Sequence, residues 1–552
     1  MEVTFLGATH EVTGSCTYLA ACDKHLLIDY GMEQGKNTFE NEPLPILPSE
    51  IDYVLLTHAH IDHSGLLPLL FKNGFHGEVH STVTTKNLSD IMLLDSAHIQ
   101  ESDAEWKSRK AIRRGAAPLE PLYDTHDAQG VLGLFRGHGH RYNDRFTLAE
   151  GIDIRFTDAG HLLGSSSIEI WLTENGETRK IVFSGDIGNI NQPLLRDPQF
   201  LAEADYAVME STYGDREHTP PPDYASALAE VLQRTLDRGG NVVIPSFAVG
   251  RTQEMLYFIR HIKEQGLVHG HDGFPVYVDS PLAIQATRVF VDNAEYCYDE
   301  EATSLLQRGI NPIGFSGLIT ASTADESIAI NTEPTPKVII SASGMCEAGR
   351  IRHHLKHNLW RPESTVLFVG YQANGTLGRA LVEGAKEVKI FGESIAVQAE
   401  ILSLPGISGH GDVHELLRWI RHFSPKPRMT FINHGEDAVC AGLAKRLSEE
   451  FGIPAIAPYS GTCFDLLTGK PLRLTEGIPV REKPESLSAQ STASAAAAAE
   501  KPSPKSAYAK LLLALERLTK LIGAGGNKSN RDLENMTRRI NDLCNDWTKR
   551  RR

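Results

Sequence analysis

The chain has 552 residues, 41% of them hydrophobic and 23% charged, with a formal net charge of −15. This length exceeds what one hydrophobic core organises and predicts two to four domains of ordinary globular composition. The acidic balance excludes a protein that coats nucleic acid nonspecifically, and no apolar stretch approaches the length that crosses a bilayer.

Residues 1–80 read as short strands punctuated by glycine: Glu2–Leu6, Cys16–Ala20, His25–Asp29 and Tyr53–Thr57. The opening Met1–Gly7 has the pattern of a strand rather than of a signal peptide. The last of these strands runs into Thr57-His58-Ala59-His60-Ile61-Asp62-His63, three imidazoles and a carboxylate within six positions. His58 and His60 alternate on the loop and can share one metal ion, whereas Asp62 and His63 point elsewhere and can hold a second. Nitrogen ligands with a hard oxygen suit zinc among the common divalent ions.

Residues 86–114 and 126–136 have helical patterns. Strands return at Ile152–Thr157, Ser167–Thr173, Lys180–Ser184 and Tyr206–Glu210. His161 and Asp186 each follow one of these strands at a glycine-permitted turn, which adds two ligand types. From Asp223 the pattern becomes an alternation of helix and parallel-type strand. The expected helices are Tyr224–Arg238, Arg251–Gln265 and one from Gly349, with strands at Asn241–Pro245, Pro275–Asp279, Lys337–Ser341 and Ser364–Val369.

Three turns in this region are glycine-rich and end in arginine: 246–251, 342–350 and 371–379. Free backbone N–H groups at such turns seat anions, and the arginine fork grips phosphate. Ser343, Gly344, Arg350, Arg251 and Arg379 are therefore expected phosphate contacts, with Ser211 added. Metal-ligand motifs resume at Gly409-His410-Gly411-Asp412 and Asn433-His434-Gly435-Glu436.

An Ala-, Ser- and Pro-rich linker follows, and then two helices. Apolar residues recur at Tyr508, Leu511, Leu512, Leu515, Leu518 and Ile522, and at Leu533, Met536, Ile540, Leu543 and Trp547. This seam calls for a partner helix, met by a hairpin or by a homodimer. Seven cysteines, odd in number and without Cys-x-x-Cys spacing, imply a reducing compartment, so the cytoplasm is the expected location and no membrane is expected.

The ordered motifs resemble the metallo-β-lactamase fold, and its β-CASP nuclease family in particular. They are Asp29 in Leu27-Ile28-Asp29-Tyr30-Gly31, the His-x-His-x-Asp-His run, His161, Asp186, Glu210 in Met209-Glu210-Ser211-Thr212, His410 and His434. The resemblance implies an α/β protein: an αββα sandwich with an inserted α/β β-CASP domain, followed by a C-terminal helical extension. The expected boundaries are 1–212 and 395–475 for the sandwich, 213–394 for the insert, 476–506 for the linker and 507–552 for the extension.

It also implies two Zn2+ ions. His58, His60 and His161 would hold one; Asp62, His63 and His434 the other; Asp186 would bridge them, with Asp29 orienting a ligand from behind. His410 is the expected general acid, held by Glu210, and Asp62 is counted with them as catalytic. The expected activity is hydrolysis of single-stranded RNA by a metal-bridged hydroxide, leaving a 5′-phosphate and a 3′-hydroxyl, with endonucleolytic cutting favoured. Histidine at the position of His434 is typical of RNA-acting members. The competing readings are a DNA nuclease of the same fold, a small-molecule metallo-hydrolase and an inactive assembly subunit. The last has usually lost metal ligands, and none is missing here.

Overall fold

The computed structural model describes residues 1–480, except 36, 220–222 and 405–407, together with 538–539. Strands with alternating or continuous apolar residues assemble into two seven-stranded sheets and one six-stranded sheet. The first sheet takes Glu2–Gly7, Cys16–Ala21, Lys24–Ile28, Tyr53–Leu55 and Glu78–His80, with the late strands Cys463–Asp465 and Lys470–Arg473 at its other edge. The second takes Arg145–Ala149, Ile152–Asp158, Ser166–Glu174, Glu177–Phe183 and Tyr206–Met209, extended by Met429–Ile432 and Ala455–Ile456.

The two sheets face each other across one apolar layer. Val3, Phe5, Leu19, Leu26 and Leu55 meet Ile154, Phe156, Ile168, Ile170 and Phe431 there. Each such side chain contributes about 1.5–3 kcal/mol when taken out of water. The outer faces are covered by helices. Leu67, Leu70, Leu93 and Ala97 pack on the first sheet, and Leu416, Trp419, Ile420 and Leu443 on the second. This is the expected αββα order.

The third sheet is wholly parallel. Its neighbours run Leu318–Thr320, Val276–Val278, Val338–Ser341, Val242–Pro245, Thr365–Phe368 and Glu400–Ser403. The central strands are buried on both faces, which explains their unbroken apolar runs. Helices Tyr224–Asp237, Arg251–Gln265 and Pro281–Asp292 cover one face, and Ile351–Asn358 the other. The apolar cluster on the first face also takes in Ala59, Leu162 and Leu163. The insert's core therefore packs directly on the turns that carry metal-ligand residues.

Two expected boundaries move. Glu400–Ser403 pairs in parallel with Thr365–Phe368, so the insert's sheet extends past residue 394. The expected linker begins at 476, yet Glu40 N–H donates to the Ile478 carbonyl and Val480 N–H to that of Thr38, which pins 478–480 to the sandwich. The long helix begins at Val83 rather than 86, because the Thr82 hydroxyl accepts from Thr85 N–H and caps it. The rest of the expected linker, and the C-terminal helices with their homodimer seam, lie outside the described residues apart from 538–539. Among the described residues no helix is long and apolar enough to cross a membrane.

Candidate metal centre

Five strands end at one place. Tyr53–Leu55 leads to the histidine run, Ile152–Asp158 to His161, Glu177–Phe183 to Asp186, Tyr206–Met209 to Glu210 and Met429–Ile432 to His434. His60 starts the single helical turn Ile61–Ser64, which carries Asp62 and His63 toward His434, with the His63 ring still 4.1 Å from that of His58. Ser15 N–H donates to the Asp62 carbonyl at 2.8 Å and Tyr30 N–H to that of His63 at 2.8 Å, fixing the turn against the first sheet. Gly31 allows this approach, because a Cβ there would strike the Asp62 carbonyl.

Two groups of ligand atoms result. His58, His60, His161 and Asp186 form the first; Asp62, His63 and His434 form the second. His58 Nε2 lies 3.0 Å from His60 Nδ1, and His161 Nε2 lies 3.3 Å from the same atom. In the second group the Nε2 atoms of His63 and His434 are 3.2 Å apart, and Asp62 Oδ2 is 3.8 Å from His434 Nε2. Asp186 divides its oxygens between the groups. Oδ2 is 3.5 Å from His58 Nε2 and from His161 Nε2, whereas Oδ1 is 3.3 Å from His63 Nε2 and 3.6 Å from His434 Nε2.

The other ring nitrogens are held from behind. His63 Nδ1 donates to Asp29 Oδ2 at 2.7 Å, and Asp29 also accepts from Thr57 N–H and Thr57 Oγ1, both at 2.8 Å. His161 Nδ1 donates to the Gly409 carbonyl at 3.0 Å, and His434 Nδ1 lies 3.2 Å from Thr212 Oγ1. These partners set the tautomer and turn the free nitrogens to the centre. Thr57 and Thr212 were not singled out from sequence, although each adjoins a residue that was.

Lone pairs thus face lone pairs in a buried site, and Asp186 Oδ1 is buried with no hydrogen-bond partner. A cation between them satisfies both, so these residues fit a metal. Burial, reinforced by neighbouring imidazoles, holds His58 and His161 far below the usual histidine range, in the neutral form a ligand needs. Burial works against the Asp62 carboxylate, but His434 and His63 outweigh it and bring it down to about 2.

A third group lies beside the first: His410, Glu210 and Asp186. The His410 turn is stitched to the segment after Asp186 by Gly411 N–H to the Ile187 carbonyl, 2.8 Å, and Asn189 N–H to that of Gly409, 3.2 Å. His410 Nδ1 is 3.1 and 3.2 Å from the two Glu210 oxygens. Glu210 is itself fixed by Ile187 N–H at 2.6 Å and Thr212 N–H at 3.2 Å. The free His410 Nε2 stands 4.0 Å from Asp186 Oδ2. Burial opposes its charge, but Glu210 and Asp186 outweigh this and raise it to about 9. The side chain is 22% exposed, so a reactant can reach it.

The phosphate contacts expected from sequence fare differently. The Ser211 hydroxyl is buried and donates to the Asn433 carbonyl at 3.0 Å, away from any anion. Arg350 is committed to Asp279 at 2.7 Å and to the carbonyls of Ala321 and Ser322, and so supports the fold. These two expectations are corrected. Arg251 pairs with Glu254, and Arg379 with Glu383 at 2.7 Å. Ser343 Oγ closes its own turn on the Ala348 carbonyl at 3.2 Å. Gly344 lies flush against Phe247, bringing the 246–251 and 342–350 turns together.

Arg350→Ala is expected to cost about 1–3 kcal/mol in denaturant unfolding, because it leaves the buried Asp279 Oδ1 without its partner while Ser327 and His354 keep Oδ2, and to leave substrate affinity within about 2-fold. A large affinity loss with unchanged stability would reverse that assignment.

Asp158, three residues before His161, is buried, and burial pushes its carboxyl up to about 7 despite the Gly160 N–H it accepts. The folded state therefore holds this proton more tightly than the unfolded chain. The carboxyl costs nothing at low pH, and stability falls as pH rises from about 4 toward 7. Asp158→Asn is expected to remove that slope and to be more stable than the parent at pH 8 by about 2–4 kcal/mol, with a smaller gap at pH 5. Equal gaps at both pH values would contradict this.

The sequence matches the metallo-beta-lactamase superfamily over residues 11–246, the Beta-Casp domain over 252–381 and the Zn-dependent metallo-hydrolase RNA specificity domain over 394–458. It is 37% identical over 451 residues to Ribonuclease TTHA0252 of Thermus thermophilus, covering 81% of this chain and 96% of that protein. The chain belongs to the β-CASP family of the metallo-β-lactamase superfamily. Transcription termination factor FttA of Methanosarcina mazei is 31% identical to this β-CASP protein over 468 residues, covering 82% of this chain and 70% of FttA. FttA of Pyrococcus abyssi is 30% identical over 484 residues, covering 83% and 70%. This β-CASP protein is accordingly a metal-dependent hydrolase. The match to the RNA specificity domain spans both His410 and His434.

Proposed function

We propose that the protein is a zinc-dependent ribonuclease that hydrolyses phosphodiester bonds of single-stranded RNA. The observation that carries this reading is Asp186 offering one oxygen to each of two ligand groups, with the His410–Glu210 pair alongside. His58, His60 and His161 would hold one ion, Asp62, His63 and His434 the other, and Asp186 both. Bound there, two Zn2+ ions supply Lewis acidity toward a phosphoryl oxygen and acidify water enough for attack near neutrality.

The protein's own groups supply the rest. As water adds to phosphorus and the P–O3′ bond breaks, His410 gives its Nε2 proton to the departing O3′. Glu210 keeps the opposite nitrogen protonated and the ring aligned. Asp62, 3.8 Å from His434 Nε2, helps orient the attacking water, whose proton passes to solvent. The products are a 5′-phosphate and a 3′-hydroxyl.

RNA is favoured by the RNA specificity match and by the ribonuclease name of the Thermus relative. Phe247 is 47% exposed and Tyr371 is 61% exposed, on turns that follow strands of the insert, and they offer faces on which unpaired bases stack. Cytoplasmic residence belongs to the same reading, supported by six unpaired cysteines among the described residues.

The test uses protein of measured metal content with matched RNA and DNA strands and a closed RNA circle. Cleavage of RNA and of the circle, with 5′-phosphate ends, is expected. Preferential cutting of DNA would install the DNA nuclease instead. Inertness toward both would favour a small-molecule hydrolase, and failure on the circle alone would make the action exonucleolytic.

A further inference from the structure

We propose that Gln192 is a positioning residue that holds His410 in reactive alignment with His161 and Asp186; this rests on the reading above, in which His410 delivers a proton. Gln192 follows Asp186 by six residues, and its side chain is 6% exposed. Its amide nitrogen lies 3.2 Å from each of three carbonyl oxygens, those of Gly160, Asn189 and Gly409. Each carbonyl belongs to a different turn. Gly160 immediately precedes His161, Asn189 lies three residues past Asp186, and Gly409 immediately precedes His410.

The orientation of the carboxamide is fixed by these surroundings. Three acceptors around one atom require the NH2 group there, since the oxygen in its place would meet only other oxygens. The Gln192 oxygen, in return, is buried with no partner. An unpaired buried acceptor is destabilising, so the oxygen is not what the glutamine is there for. What the glutamine supplies is its NH2 group, whose two N–H bonds are shared among the three carbonyls.

Two further contacts show what the donation controls. The Gly409 carbonyl that Gln192 grips also accepts from His161 Nδ1 at 3.0 Å, so one oxygen ties the His161 ring to the turn that carries His410. Gly188 packs so closely on Gly160 that a Cβ would strike the Gly160 carbonyl. At this junction the turns meet through glycine backbone, and Gln192 supplies the side chain that joins all three. Loss of its donors would let the His410 turn drift, and a displacement of about 1 Å at a reacting group costs up to about 10²-fold in rate.

The test compares Gln192→Met, which keeps the length without donors, and Gln192→Glu, which keeps the shape as an acceptor only. Metal content and thermal midpoint come first. Hydrogen exchange is then read over residues 187–192 and 408–412. Turnover is measured on RNA with an ordinary 3′-oxygen leaving group and on RNA with a 3′-bridging sulfur, which departs as a thiolate without a proton. The expected result is unchanged metal content, faster exchange in both segments, KM within about 2-fold, and kcat lower by about 10–100-fold on the oxygen linkage. On the sulfur linkage the loss is expected to shrink below about 3-fold.

Equal losses on the two linkages, or an unchanged kcat, would overturn the assignment. If Gln192→Glu fails to fold, Gln192→Met decides by the same criteria. If the unsubstituted protein cuts no RNA, the ribonuclease reading fails by itself, and unchanged exchange in Gln192→Met would then overturn the clamp separately.

Discussion

Asp186→Asn is expected to lower turnover by more than about 10³-fold and to strip metal from both positions, not from one. A single preorganised electrostatic contact is worth about 10²–10³-fold, and here one side chain offers an oxygen to each of two ligand groups. Asp186 Oδ2 reaches the His58 and His161 nitrogens, and Oδ1 those of His63 and His434. The amide keeps the size but replaces one ligand oxygen by a donor aimed at imidazole nitrogens and removes the negative charge. Elemental analysis of the purified variant, beside its cleavage rate, checks both parts. Loss of one ion with the other retained would place Asp186 in a single group. For contrast, Asp29→Ala removes the acceptor behind His63 together with that of Thr57 N–H and Oγ1, touches no other ligand, and is expected to weaken metal affinity about 10–100-fold.

His410→Ala should separate chemistry from metal binding. The ring touches neither Asp62 nor the paired His63 and His434 nitrogens at hydrogen-bond distance, and its nearest oxygens belong to Glu210. Metal content is therefore expected to stay intact while kcat falls about 10²–10⁴-fold, the range for losing a general acid. RNA with a 3′-bridging sulfur should recover most of that loss, because its leaving group needs no proton. An unchanged rate would remove His410 from the mechanism, and loss of metal would make it a ligand.

The histidine run was legible in the sequence because its chemistry is local, whereas the grouping of His161, Asp186 and His434 with it came from the resemblance to the β-CASP family. A strand ending in His58, His60, Asp62 and His63 announces itself, and the alternating or continuous apolar strands were readable from period alone. Asp186 and His161 were legible by type and by their place after strands. What was not legible depends on partners far away in the chain. Arg350 ends a glycine-rich turn in the manner of a phosphate grip, but Asp279, 71 residues earlier, claims it. Ser211 adjoins Glu210, yet its hydroxyl turns inward to Asn433, 222 residues later.

Short strands were the other blind spot. Glu78–His80, Leu318–Thr320 and Glu400–Ser403 carry too few residues for a period to show, and only pairing with a neighbour defines them. The last of these shifts the end of the inserted sheet. Gln192 shows the same limit at the site, since its partners are three carbonyls, and backbone groups leave no mark in the sequence.

The most direct measurement is metal quantification joined to activity on a single preparation. The protein is purified without added metal, its zinc determined by elemental analysis, and its cleavage of single-stranded RNA followed before chelation, in strong chelator and after zinc is restored. The account predicts close to two zinc ions per chain, no cleavage in chelator, and recovery that tracks the metal returned. Full activity in strong chelator from a chain with no bound transition metal would contradict it.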